Sequence, residues 1–138
     1  MAQFNSKNKA SRTSRRWYTD FDINMTLHPQ TGDVSLKYDL NAVKRSIRNI
    51  LSTEVYQRPF KPGFGTNLSS RLFDLWDITT ATVFEQDLKD ILRNLEPRAH
   101  FTDIFADMYD HELHLTMIFT ILNDPRPHNL DIVLERVR

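Results

Sequence analysis

The stretch from Arg58 to Asn67, Arg-Pro-Phe-Lys-Pro-Gly-Phe-Gly-Thr-Asn, concentrates two of the six prolines and two of only three glycines in the chain. Pro59 and Pro62 fix φ and lack an N–H donor, while Gly63 and Gly65 open conformations closed to other residues, so this run is neither helix nor strand. It is a shaped loop, and the elements on either side must be organised around it. Phe60 and Phe64 sit between the punctuating residues, so the loop carries apolar side chains that need burial under itself or against a partner. Arg58, Pro59, Phe60, Pro62 and Phe64 are therefore candidate partner-binding residues, in a loop better suited to docking than to turnover.

Before the loop, Phe21, Ile23, Met25 and Leu27 alternate with Asp20, Asp22, Asn24 and Thr26, which predicts a strand. Turn residues from His28 to Asp33 fold it back onto Val34, Leu36 and Tyr38 as a hairpin. Leu40, Val43, Ile47, Ile50, Leu51 and Val55 then recur at helical spacing, with Asp39 or Asn41 as the cap and Lys44, Arg45 and Arg48 on the wet face. After the loop, Asn67 is placed to cap a short helix with an apolar stripe of Leu68, Leu72, Phe73, Leu75 and Trp76, closed by Asp77. Thr82 and Glu85 match a capping box, and Val83, Phe84, Leu88, Ile91, Leu92 and Leu95 continue at helical spacing, which predicts a longer helix from about Thr80 to Asn94 with Pro97 marking its end. Residues 101 to 122 alternate as a second hairpin that turns at Asp110-His111. Asn123 to Asn129 then breaks the pattern before a last strand from Leu130 to the C-terminus, whose end at Arg136, Val137 and Arg138 is a candidate sheet edge. The expected class is α+β, a mainly antiparallel sheet of two N-terminal and three C-terminal strands with about three helices on one face.

At 138 residues the chain reads as a single domain over 17–138, preceded by a basic arm over 1–16. The arm holds Lys7, Lys9, Arg12, Arg15 and Arg16 and no acid, which leaves the rest of the chain net negative although the whole is formally neutral. Two readings of it stay open, a solvated tail and an arm that lies on an acidic neighbour or a nucleic-acid backbone. No aromatic interleaving supports specific nucleic-acid recognition. There is no cysteine, which removes disulfides, thiolate zinc sites and thiol nucleophiles and fits a reducing compartment. No apolar run approaches the roughly 20 residues of a membrane span, and no secretory signal is visible, so a soluble protein that starts life in a cytoplasm is expected.

Enzyme motifs are largely missing: no HExxH, no GxSxG and no P-loop occurs. No catalytic residue, metal site or cofactor is assigned. His111 and His114 are three apart and point to opposite faces of a strand unless a turn intervenes. A carboxylate pair for glycoside hydrolysis needs one acid with a raised pKa in an apolar cleft, and only Glu96 lies in a suitable segment. Glu96-Pro97-Arg98 is the polar site to single out, since proline halts the preceding helix and holds two opposite charges beside it. It reads either as an ordinary helix stop with Arg98 near the negative helix end, or as a rigid polar knob that binds a partner.

Five segments together carry a resemblance. Tyr18-Thr-Asp-Phe-Asp22, His28-Pro-Gln-Thr-Gly-Asp-Val34, Ala42-Val-Lys-Arg-Ser-Ile-Arg48, Arg58-Pro-Phe-Lys-Pro-Gly-Phe-Gly65 and Leu95-Glu-Pro-Arg98 occur in the order found in the baseplate wedge family of contractile phage tails. Residues 17 to 138 resemble the T4-type sheath-initiating members and the related type VI secretion baseplate subunit. The resemblance implies a non-enzymatic virion protein of the tail baseplate, assembled in the host cytoplasm, that templates the first sheath ring by strand addition. It implies other baseplate wedge proteins and the tail sheath protein as partners, with Glu96, Pro97 and Arg98 as the anchor to the wedge core. The basic arm lies outside the resemblance, with tail tube or hub proteins as its candidate contacts. Members of this family have also been labelled lysozyme-like, a label the residues do not support.

Overall fold

The computed structural model describes residues 17–22, 24–110 and 112–135. The arm over 1–16, Ile23, His111 and the terminal Arg136, Val137 and Arg138, all of which figure in the expectations above, lie outside the described residues. The element order is β1 (Thr19–Phe21), β2 (Leu36–Tyr38), α1 (Asp39–Ser52), α2 (Leu68–Arg71), α3 (Ile78–Leu95), β3 (Ala99–Tyr109), β4 (Glu112–Ile121) and β5 (Asp124–Glu135). The class is α+β as expected. The strands are divided between two antiparallel sheets, β1-β2 and β3-β4-β5.

β4 is the central strand, and its strict alternation turns Leu113, Leu115, Met117, Phe119 and Ile121 into the core. On β3 the inward residues change parity, from Ala99 and Phe101 to Ile104 and Ala106, because the register shifts between Phe101 and Asp103. Thr102 is thus the extra residue of a bulge, which lets both apolar sets face the same way. α1 contributes Val43, Ile47, Ile50 and Leu51 to this core, and α3 contributes Phe84, Leu88 and Leu92. Phe101 and Phe119 pack with ring centroids 5.8 Å apart, and Trp76 meets Phe84 edge-on at 5.7 Å. The spacing read as amphipathic in both helices is the spacing that buries them.

Several local expectations give way to longer-range contacts. Asp39 does not cap α1; its Oδ1 accepts the amides of Trp17 at 2.8 Å and Tyr18 at 3.2 Å, so it clamps the entering chain. The first hairpin is shorter than its alternation predicts. Phe21, Met25 and Leu27 are exposed, and Leu27–Val34 pair only as an isolated bridge. Asp22, assigned to the polar face, is instead buried, tied to Lys37 at 3.4 Å and to Arg45 of α1 at 3.2 Å. α2 is one turn long without a side-chain bond from Asn67, and its predicted stripe splits: Leu68 is buried, Leu72 and Trp76 pack partly, while Phe73 and Leu75 are exposed. Asp77 opens α3 rather than closing α2, accepting the Ile78 amide at 2.7 Å. No capping box forms: the Thr82 hydroxyl donates to the Ile78 carbonyl, and Glu85 reaches β3. Finally β5 begins at Asp124, not Leu130, and runs through Pro125 and Pro127. Those prolines fall on an edge strand, in the register irregularity opposite Thr120, where a missing N–H costs no ladder bond. No helix among the described residues is long and apolar enough to cross a membrane.

Candidate functional site

The Arg58–Asn67 loop is built on the C-terminus of α1, where helix carbonyls need donors. Thr66 supplies two, its amide to Thr53 O at 2.9 Å and its hydroxyl to Leu51 O at 3.1 Å, and it is buried in doing so. This close approach requires Gly65: its φ is +114°, and a Cβ there would stand 2.3 Å from the Thr53 carbonyl oxygen. The Tyr56 amide bonds to Pro62 O at 2.9 Å and closes the loop on itself. Phe64 packs partly against the core with the Arg58 guanidinium 3.9 Å from its ring centroid, a cation–π contact. Phe60 is fully exposed at 102%. The loop's two aromatic rings therefore divide, Phe64 inward and Phe60 outward.

Glu96, Pro97 and Arg98 join α3 to β3. Arg98 donates through Nε and Nη2 to the two Glu96 carboxylate oxygens, both at 2.6 Å, in a bidentate fork. The two charges do not form an outward knob. Glu96 is only 2% exposed, so its carboxylate lies in the core wall and is satisfied by its own chain, while Pro97 is exposed and Arg98 half-buried. Burial pushes the Glu96 carboxyl up, but hydrogen bonds from Arg98 and from Ser46 of α1 outweigh it and hold the group below its ordinary value. Arg98 is correspondingly raised, chiefly by its bonds to Glu96. Its guanidinium also stands 5.4 Å from the Tyr18 ring centroid. One fork thus connects α1, α3, β3 and the entering chain.

A third feature is backbone rather than side chain, and sequence reading placed it only loosely at the chain's end. β3 and β5 are the two edges of the larger sheet. α3 crosses the β3 edge: Glu85 Oε1 accepts the Ala106 amide at 2.9 Å, and Lys89 Nζ donates to the Thr102 carbonyl. On β5, Lys44 of α1 donates to Asn129 O at 2.7 Å, which marks that carbonyl as outward. The register is unbroken from His128 to Glu135, so Asp131, Val133 and Glu135 turn their N–H and C=O groups the same way. Among the described residues no hydrogen bond from another element reaches these groups. At the opposite end of β5, Arg126 forks onto Asp124 at 2.9 and 3.0 Å. Those bonds bring the Asp124 carboxyl down to about 2.

Residues 37–126 match the family described as baseplate wedge protein gp25. The chain is 31% identical over 110 residues to the baseplate wedge protein gp25 of Enterobacteria phage T4, covering 78% of this chain and 83% of that protein. Its fold is similar to a chain of the anti-feeding prophage baseplate, with a TM-score of 0.60 at 18% identity over 88% of this chain and 87% of that one. A Geobacter sulfurreducens protein provisionally described as a tail lysozyme shares the fold, with a TM-score of 0.62 at 24% identity over 70% of this chain and 89% of that one. The profile match covers most of the chain, and the identity to the phage protein extends over most of both sequences. The chain belongs to the gp25 baseplate wedge family and is a structural component of a contractile tail baseplate.

Proposed function

We propose that this subunit templates the first sheath ring by accepting an extended segment of the sheath protein on the β5 edge, with no bond-breaking step of its own. The observation that carries the reading is the unequal treatment of the two edges: α3 occupies edge groups of β3, whereas the outward groups of Asp131, Val133 and Glu135 on β5 take no hydrogen bond from any other described element. An added strand gains main-chain hydrogen bonds along that stretch, and alternating side chains set its register. Other wedge proteins are the proposed partners of the Pro97–Arg98 surface and of Phe60. The basic arm is assigned to tail tube or hub proteins, and assembly to the host cytoplasm. A non-enzymatic role is supported by the carboxylates. A general acid needs a raised pKa, and Asp22, Glu96 and Asp124 are all lowered by their partners.

The test is a set of single substitutions, Asp131→Pro, Val133→Pro and Glu135→Pro. An edge strand tolerates proline at outward positions, so the fold is retained while one outward N–H donor is lost in each. The expected result is baseplates that contain the variant and fail to grow sheath. Normal sheath growth on all three, or peptidoglycan cleavage by the purified protein, overturns the reading.

A further inference from the structure

We infer that the segment received on the β5 edge is acidic, with carboxylates at alternate positions on its helix-facing side read by Lys44 and Arg48 of α1. The inference rests on the strand-addition reading and goes beyond it by naming the chemistry of the incoming strand. α1 runs alongside β5: Lys44 reaches Asn129, and Leu51 and Ser52 lie beside Leu134 and Glu135 around a shared cleft. A strand added outside β5 therefore has the wet face of α1 next to it. That face forms a trough of about 590 Å³ lined by Lys37, Asn41, Lys44, Arg45, Arg48 and Asn49.

The charges in this trough are not balanced. The Asp22 carboxylate serves both Lys37 and Arg45. Lys44 sits on a neutral carbonyl, and Arg48 makes no ion pair among the described residues. Lys44 and Arg48 are one helical turn apart, roughly 6 Å along the axis. Alternate side chains of a strand repeat at about 6.7 Å. Two carboxylates on one side of an added strand thus match the two cations in spacing as well as in sign. The Asn129 carbonyl provides the exchange, since an incoming N–H takes the acceptor that Lys44 now holds and frees its ammonium for a carboxylate. Orientation follows from the other face. Asp131, exposed between the buried Leu130 and the half-buried Ile132, repels a carboxylate placed on that side, so the acidic side of the strand is directed toward α1. A nucleic acid fits less well, because the trough has no aromatic side chain for base stacking and the remainder of the chain is net negative.

The test uses the full chain and three ten-residue peptides in which threonine alternates with Glu, with Gln or with Lys. Affinity is read by fluorescence anisotropy at low salt, and site by amide exchange at Asp131, Val133 and Glu135. The Glu peptide is expected to bind at least tenfold more tightly than the Gln peptide and to slow exchange at those amides. Lys44→Glu with Arg48→Glu should transfer the preference to the Lys peptide. If that double variant does not fold, Lys44→Gln and Arg48→Gln singly should each remove part of the preference for Glu over Gln. Equal binding of the Glu and Gln peptides with the β5 amides protected overturns the acidic preference and leaves strand addition standing. Absence of protection with every peptide overturns both.

Discussion

Glu96 and Arg98 behave as one unit, because each satisfies the other where neither has full access to water. Removing the guanidinium leaves a carboxylate in the core wall, and breaking a buried pair in this way costs about 3–5 kcal/mol. The side chain of Arg98 keeps a third of its exposure, which places Arg98→Ala near the lower end of that range. Urea unfolding is expected to show this loss, and a paired Glu96→Leu with Arg98→Met change should recover much of it; a loss near zero for Arg98→Ala would mean the fork is ornamental. Charge reversal at Arg98 therefore perturbs folding whatever it does to the docking proposed there, so Pro97, exposed beside it, is the cleaner site for a docking variant. The pair also sets an acid limit. The folded state holds the Glu96 carboxyl below its ordinary value of 4.5, so the unfolded chain binds its proton more readily. Its stabilising effect is complete above that ordinary value and is lost as pH falls through the lower folded one. Asp124 acts in the same direction further down, between its ordinary 3.8 and about 2. Thermal unfolding followed from pH 6 to about pH 2 should show a falling midpoint. Glu96→Gln should flatten the upper part of that fall, and an unchanged acid slope would exclude Glu96 as its source.

At the level of elements, the joint between α1 and the loop is decided by a single glycine. Gly65→Ala places a methyl group against the Thr53 carbonyl in a backbone conformation that L-residues disfavour, at a cost of about 2–3 kcal/mol. Gly63→Ala meets open space with no positive φ and is expected to be neutral or to stabilise by about 0.4–1 kcal/mol through the unfolded chain. Equal effects at the two positions would show that the loop does not depend on this close approach. The density of Pro and Gly marked the loop in the sequence, but not which glycine carried the constraint. What was legible elsewhere was periodicity. The stripes of α1 and α3 and the alternation of β3 and β4 reach the structure nearly as read, because each is a local pattern that one buried face enforces. What was not legible was long-range. Asp39 and Glu85 look like helix caps in their own neighbourhoods, yet Asp39 takes the amides of Trp17 and Tyr18 in the entering chain and Glu85 takes one from β3, 21 or 22 residues away. Asp22 alternates as a surface residue until Lys37 and Arg45 converge on it. Pro125 and Pro127 read as a loop because a central strand would exclude them, and only the sheet order shows that β5 is an edge. The same gap explains the Glu96–Arg98 site. The motif was found, but the depth of Glu96 depends on Ser46 and on the packing of α1, which no local spacing reports.

Across the whole molecule, the surfaces proposed for assembly are separate, and this separation makes their roles distinguishable. Phe60 is held outward by a loop that Thr66, Gly65 and the Tyr56–Pro62 bond fix in place, so its exposure is a property of the fold. Covering such a ring releases apolar surface worth about 1.5–3 kcal/mol. That is a substantial contribution to seating one subunit among its neighbours. The β5 edge contributes nothing to that seating in the proposed scheme, since it is reserved for a strand that arrives later. Phe60→Ser should leave thermal stability within about 0.5 kcal/mol of the parent, because the ring has no intramolecular contact to lose. Its expected defect is early: baseplates that lack the subunit or hold it at reduced occupancy. Val133→Pro should give the opposite pattern, full occupancy in the baseplate and no sheath. Quantifying the subunit in purified baseplates separates the two, and imaging the tails completes the comparison. If Phe60→Ser particles carry the subunit at normal occupancy, the loop is not a seating surface. If Val133→Pro lowers occupancy as much as Phe60→Ser does, the edge takes part in seating, and the order of assembly proposed for the two surfaces is wrong.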